Sequence, residues 1–337
     1  MIKKAVLPVL LFLFMALSSG AAEFVDGRIR LVLNENSGRF SLYYMADIAG
    51  EEYVPFFVDK DPRTSFLAVM VDNRNYRLGD SSSFKISLGG SKTNPSLIFD
   101  SPALSVTEEF GFIKTAGSNL SNGVKITITI TNKGERQVQA GARFLIDTNL
   151  GEGSTHFSTD KRTIRSETVI DAASGDAFWI SENGRISLMG SVSGDGITVP
   201  DLIHFANWKR LNDTAWKTPF YSGRNFNLLP YSINDSAVCY YYEPAVIDTR
   251  KSRAISLVLA SRDESGFSGN LSEKPDGISR LVDVSAKTET STEEDIVILR
   301  DLASKLDEYI NSNAPVSGEE LSAIELAISR LKAKYGL

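Results

Sequence analysis

The sequence predicts a mainly β protein, an antiparallel sandwich or barrel, followed by a C-terminal α-helical hairpin. Three observations predict it. Val124, Ile126, Ile128 and Ile130 alternate with Lys125, Thr127, Thr129 and Thr131, the period of a strand with one buried face. Short extended segments recur from Glu23 to about Ser261 with polar, Gly- or Pro-containing turns between them and few helical patterns, which argues against βαβ units. After Ser291 the apolar period changes to three and four residues, the spacing of an amphipathic helix.

Residues 1–22 read as a secretory signal peptide. Lys3 and Lys4 precede the apolar run Ala5 to Leu17, and small residues follow from Ser18 to Ala22. The run is shorter than the roughly 20 residues of a spanning helix. No membrane span is expected in the mature chain, and the expected location is periplasmic or secreted. Residues 23–262 form the β domain. Its strands are expected at Arg28–Leu33, Arg39–Tyr44, Phe66–Val71, Phe84–Leu88 and Ser105–Ile113. They continue at Val124–Thr131, Val138–Ile146, Thr163–Ile170, Arg185–Val192, Ala237–Tyr242 and Ala254–Leu259. Asn132-Lys133-Gly134-Glu135 supplies the turn between the two strongest of them. Residues 263–291 are polar, with Gly266, Gly269, Pro275 and Gly277, and read as a linker. Residues 292–337 form the hairpin. Thr292 caps the first helix and Ser317 with Glu320 makes a capping box for the second. Leu299, Leu302 and Leu306 form one apolar seam; Leu321, Ile324, Ile328 and Leu331 form the other. A two-helix unit this small buries little by itself. Its seams pack on each other and on the β domain, or one edge docks a partner.

The formal charge of −6 is two units more negative once Lys3 and Lys4 are removed. Acidic and basic residues are interspersed, so no basic stripe for nucleic acid is present. Cys239 is the only cysteine; it lies in a strand pattern and reads as a small buried hydrophobe.

The richest polar cluster is Arg143, Asp147, Asn149, Glu152 and His156. Arg143 and Asp147 share a strand face but stand about 13 Å apart along it, so they do not pair directly. The loop 147–156 gathers oxygens, yet lacks the regular acidic spacing of a calcium loop. Its simplest role is structural, with Asp147 and Thr148 bonding local backbone amides. There are two histidines, His156 and His204, too few with one cysteine for a zinc site. No metal and no cofactor are expected. His156 is a weak candidate acid or base, with Glu243 or Asp147 as partner. His204, in DLIHFANW, reads as a packed histidine. Trp208, Trp216, Phe220, Tyr221 and Phe226 lie in a Gly- and Asn-containing stretch; they cap the sandwich, or bind a sugar or a protein partner. Tyr240, Tyr241 and Tyr242 alternate faces, so at least one is expected to point outward or line a groove.

Three patches resemble a group of bacterial secreted and envelope proteins whose β domain looks like the supersandwich of the galactose-mutarotase-like class. Val138-Gln139-Ala140-Gly141-Ala142-Arg143-Phe144-Leu145-Ile146-Asp147-Thr148-Asn149-Leu150-Gly151 is similar to the group's VGxRxLLDTxLG strand and loop. Ala206-Asn207-Trp208 with Trp216 is the second patch. Asp235-Ser236-Ala237-Val238 followed by Tyr240-Tyr241-Tyr242-Glu243-Pro244 is the third. The group often continues its loop as NDGxPF; this chain has Glu152-Gly153-Ser154-Thr155-His156-Phe157. The resemblance spans about Ser105 to Leu259 and implies an antiparallel β-supersandwich. Some spirochaete proteins that decorate periplasmic flagellar sheaths also look like secreted β-sandwich proteins. The expected function is non-catalytic: a structural or interaction protein of the cell envelope whose partners are envelope or filament proteins, as in a filament or flagellar sheath. The alternatives are carbohydrate binding, with glycan as the partner, and a sugar-active enzyme of epimerase or lyase type using His156.

Overall fold

The alternation that dominates the sequence becomes the centre of the largest sheet. The computed structural model describes residues 20–48, 50–58, 63–115, 118, 120–148, 150–153 and 155–262. It also describes residues 295–296, 299–300, 303, 325, 328–329 and 331–335. The chain opens with β1 (Ala21–Asp26), β2 (Ile29–Asn34), β3 (Arg39–Asp47) and β4 (Glu52–Pro55), which pair in sequence order as a four-stranded sheet. Next come β5 (Phe66–Val71), β6 (Arg74–Arg77), β7 (Lys85–Gly90), β8 (Pro95–Asp100), β9 (Leu104–Ile113), β10 (Gly123–Asn132) and β11 (Val138–Ile146). Short strands follow: β12 (Phe157–Thr159), β13 (Thr163–Ile164), β14 (Thr168–Ile170), β15 (Phe178–Glu182), β16 (Ser187–Ser191) and β17 (Leu202–Asn207). A short helix, α1 (Trp208–Asp213), precedes the long strands β18 (Ser236–Ile247) and β19 (Ser252–Ser261).

The nine-stranded sheet runs β13-β12-β15-β16-β19-β10-β9-β8-β7, and the six-stranded sheet runs β14-β17-β18-β11-β5-β6. Every pairing between strands among the described residues is antiparallel. The fold is therefore the mainly antiparallel β-sandwich expected. Its core is continuous. Ile126 and Ile128 of β10 and Leu257 of β19 share it with Phe144 of β11, Tyr240 of β18 and Leu42 of β3, so all three sheets contribute. Burial of this apolar area is the main favourable term of the fold.

One hydrogen-bonded chain ties the two large sheets inside that core. The indole nitrogen of Trp179 donates to the Tyr240 hydroxyl at 2.6 Å, which donates to the Ser191 carbonyl at 2.8 Å. Gly190 lies flat against this indole, and a Cβ there would overlap the ring. Gly141 marks a bulge where the register of β11 on β18 shifts between Ala140 and Ala142.

The expected strand Thr163–Ile170 is a correction. It is two short strands in different sheets, β13 and β14, because the chain crosses from one layer to the other. Thr148 is a second correction. Its hydroxyl donates to Ser181 Oγ of β15 at 2.9 Å, so the loop is tied to a distant strand by this bond and not to a local backbone amide. The tyrosine run is a third. Tyr240 and Tyr242 face the inter-sheet core, and Tyr241 faces the opposite side, yet all three are buried. The outer face of the six-stranded sheet is covered by α1 and Trp216, which pack on Tyr241, Cys239 and Ala206.

The described C-terminal residues are helical. Ile296 packs against Met45, Ile48 and Leu120 of the β domain. Asp295, in the first stretch, accepts bonds from Lys334 and Tyr335 in the last. Of the seams, Leu331 is buried, Ile328 half-buried and Leu299 exposed. Leu302, Leu306, Leu321 and Ile324 lie outside the described residues, as does the segment 263–294. Among the described residues, no helix is long and apolar enough to cross a membrane.

Candidate functional site

The end of β11 and the start of β18 place a polar cluster at one end of the sandwich. Ligand oxygens of Asp147, Glu152 and Asp235 lie within 4.8 Å of one another. The backbone N–H of Ser236 donates to Glu152 Oε1 at 3.3 Å, and its hydroxyl bonds His156 Nδ1 at 2.8 Å. Asp147 N–H donates to Ser65 Oγ at 2.9 Å. The His156 ring rests on Phe226, with centroids 4.4 Å apart. Gly151 is needed here because a Cβ would strike the His156 backbone.

Burial sets the charges. It raises the Glu152 carboxyl, against the Ser236 amide and with help from Asp235. It raises Asp235, opposed by Ser232, and lowers His156. Carboxylates crowded this way favour a shared proton or a bound cation. Among the described residues, these three are the ones able to hold a cation together.

A second layer lies beside the cluster. Asn207 caps α1, accepting from Arg210 N–H at 3.3 Å. Its amide donates to the Phe226 carbonyl at 2.8 Å, Ser232 Oγ at 2.9 Å and the Asp235 carbonyl at 3.0 Å. One side chain thus pins the start, middle and end of the 208–235 excursion. Arg143 donates to the carbonyls of Leu211 and Thr214, satisfying groups a short helix leaves unpaired at its end. Trp208 donates to the Thr64 carbonyl at 2.8 Å, and Trp216 packs edge-on against Tyr241 at 6.2 Å.

Glu167 anchors the outer part of the excursion. Its buried carboxylate accepts from His204 Nε2 at 3.0 Å, from Tyr221 N–H at 3.0 Å and from Arg210. The Tyr221 ring has the guanidiniums of Arg210 and Arg224 at 5.1 and 5.3 Å. Lys209 Nζ lies 5.4 Å from the Tyr231 ring. Beyond these contacts the loop is open to solvent: Leu229 is 71% exposed, Tyr231 70% and Ile233 68%. Tyr221 and Phe220 are about half exposed.

Asp147, Glu152 and His156 therefore come together, Arg143 sits in the adjacent layer, and Asn149 lies outside the described residues. Trp208 and Trp216 are half-buried and pack on the sheet, while Tyr221 is presented outward. Sequence reasoning missed Asp235, Ser236, Glu167, Leu229 and Ile233. Asp235 and Ser236 stand in the third motif patch, the one signal that pointed to them. Glu167 has no local signal, since its partners are far away in the chain.

No family model matches the chain, and no curated protein matches it. Several solved structures are similar. A putative aldose 1-epimerase from Escherichia coli K12 is 8% identical over 72% of this chain and 98% of that one, with a TM-score of 0.45. A galactose mutarotase related enzyme from Lactobacillus acidophilus is 8% identical over 72% and 97%, with a TM-score of 0.43. A polysaccharide lyase is 8% identical over 72% of this chain and 34% of its own, with a TM-score of 0.41. At this identity and overlap they transfer no residue role to this chain.

Proposed function

We propose that the chain is a non-catalytic interaction protein of the cell envelope and that the loop 220–233 is its contact surface. One observation carries this reading. Among the described residues, five of the eleven exposed large hydrophobic side chains fall within this single loop: Phe220, Tyr221, Leu229, Tyr231 and Ile233. A concentration of exposed apolar side chains marks an interaction site. The chemistry favours a protein partner over a sugar. Pyranose stacking needs a free aromatic face, and here Tyr221 and Tyr231 are engaged by cations while the most exposed neighbours are aliphatic. Tyrosine and arginine are also the residue types that dominate protein interfaces. Location in a periplasm belongs to the same proposal and rests on the leader-like N-terminus; a filament or sheath is one assembly such a contact surface would serve.

The test is affinity capture of the mature chain beside a Leu229→Asp/Ile233→Asp variant from the native envelope fraction. Loss of a specific envelope protein in the variant supports the reading. Identical capture, or glycan-array binding that these substitutions abolish, overturns it.

A second reading has its own observation. His156 and Glu152 both bond Ser236, and their pKa values are pushed toward each other, one down and one up. Both shifts favour the neutral forms, a carboxyl able to donate a proton and an imidazole able to accept one, which is what an acid–base pair on a saccharide requires. Polarimetry on a panel of aldoses tests it: turnover lost in His156→Ala supports it, and no turnover by the wild type excludes it for those sugars.

A further inference from the structure

Glu108 sits in the middle of β9 with its side chain turned into the core. Its partners across the sheet are Leu97 and Ile128, and Val106 and Phe110 flank it on the same face. The side chain is enclosed, and its Oε1 has no hydrogen-bond partner. Beside it lies a small cavity bounded by Arg39, Phe40, Ser65, Leu67 and Phe144. The space open to the centre of a water molecule is about 10 Å³, room for about one. The cavity is where the three sheets meet. Arg39 and Phe40 belong to the four-stranded sheet, Leu67 and Phe144 to the six-stranded sheet, and Glu108 to the nine-stranded sheet.

Among the described residues, Arg39 is the cation that acts on Glu108, and it is committed elsewhere. Arg39 of β3 donates to the carbonyls of Leu78 and Ser37 and bonds Asp80 at 2.9 Å. Asp80 is shared with Arg77 at 2.7 Å. Ser65, just before β5, faces the cavity with a neutral hydroxyl. β8, β10 and β11 present only Leu97, Ile128 and Phe144.

We propose that Glu108 is a proton-controlled latch between the sheets. Protonated, it is a neutral filler of the core. Deprotonated, it draws water through the cavity and loosens the four-stranded sheet from the sandwich. Burial raises its carboxyl from an ordinary 4.5 to about 8, with Arg39 acting in the opposite sense. The sign follows from that direction. The closed state holds a proton that the opened state has released, so closure is strongest near pH 4.5 and weakens as pH rises to about 8. Opening should rise by up to about tenfold per pH unit across that window.

Hydrogen exchange of the mature chain between pH 5.5 and 8.5, corrected for intrinsic rates, tests the latch. Peptides covering β2 and β3 should lose protection with rising pH in the wild type and keep it in Glu108→Gln. Glu108→Met serves as the second variant if the amide impairs folding. The infrared carbonyl band of a protonated acid, in glutamate-labelled protein at neutral pH, should be present in the wild type and missing in either variant. A flat wild-type profile, equal loss in the variants, loss spread over all peptides, or absence of the carbonyl band overturns the proposal.

Discussion

Replacing Glu167 by Gln removes one negative charge from beneath the exposed loop and leaves the shape nearly unchanged. The carboxylate binds His204, Arg210 and the Tyr221 amide, so three segments lose a common anchor. Removing one partner of a buried ion pair costs about 3–5 kcal/mol. Two features lower the figure here. Arg210 keeps its bond to the Pro219 carbonyl at 2.9 Å and is partly solvated, and the amide oxygen of Gln still accepts from His204 and Tyr221. The expected loss is about 2–3 kcal/mol for Glu167→Gln and about 3–5 kcal/mol for Glu167→Ala. Urea unfolding read by linear extrapolation measures both. The pair Glu167→Met/Arg210→Met should cost less than Glu167→Ala alone, because no charge is stranded. A loss below about 1 kcal/mol for Glu167→Ala, or a double variant as costly as the two single changes added, refutes the anchor.

Other outcomes follow from the same geometry. Tyr240→Phe strands the Trp179 N–H and a bond to the Ser191 carbonyl and should cost about 2–4 kcal/mol in the same urea assay. Gly190→Ala drives a methyl into the Trp179 ring and should cost about 1–3 kcal/mol; a neutral result would mean the indole can move aside. Burial lowers both His156 and His204. The unfolded chain then takes up protons that the folded chain refuses, so their contribution is full above about pH 6.5 and lost as pH falls. His156→Gln combined with His204→Gln should flatten the acid side of urea midpoints measured from pH 5 to 7. Comparison with the wild type isolates the histidines from Glu152 and Asp235, whose raised carboxyls act in the opposite sense.

The period-two segments fixed the two central strands because alternation is local and dense there. Val124 to Ile130 and Ala140 to Ile146 bury the faces the sequence marked. What alternation does not encode is the partner of each face. Tyr241 points away from the inter-sheet core, as its position requires, yet Trp216 and α1 cover it. The polar cluster was half legible. Asp147, Glu152 and His156 sit in one loop and were seen together, whereas Asp235 reaches them only through the pairing of β11 with β18. Glu167 and Glu108 were invisible for the same reason, since their surroundings come from distant strands. The exposure of Leu229 and Ile233 was hidden because an apolar residue in a loop reads equally as core or as surface.

The loop 220–233 is the centre of the functional reading. A photo-reactive residue at Leu229, with one at Val246 as a control that is also exposed, at 55% against 71%, but lies outside the loop, tests it in the organism that makes the chain. The expected result is a discrete adduct with an envelope protein from position 229, none from position 246, and its loss when Ile233→Asp is added. No adduct from position 229, or the same adducts from both positions, would contradict it.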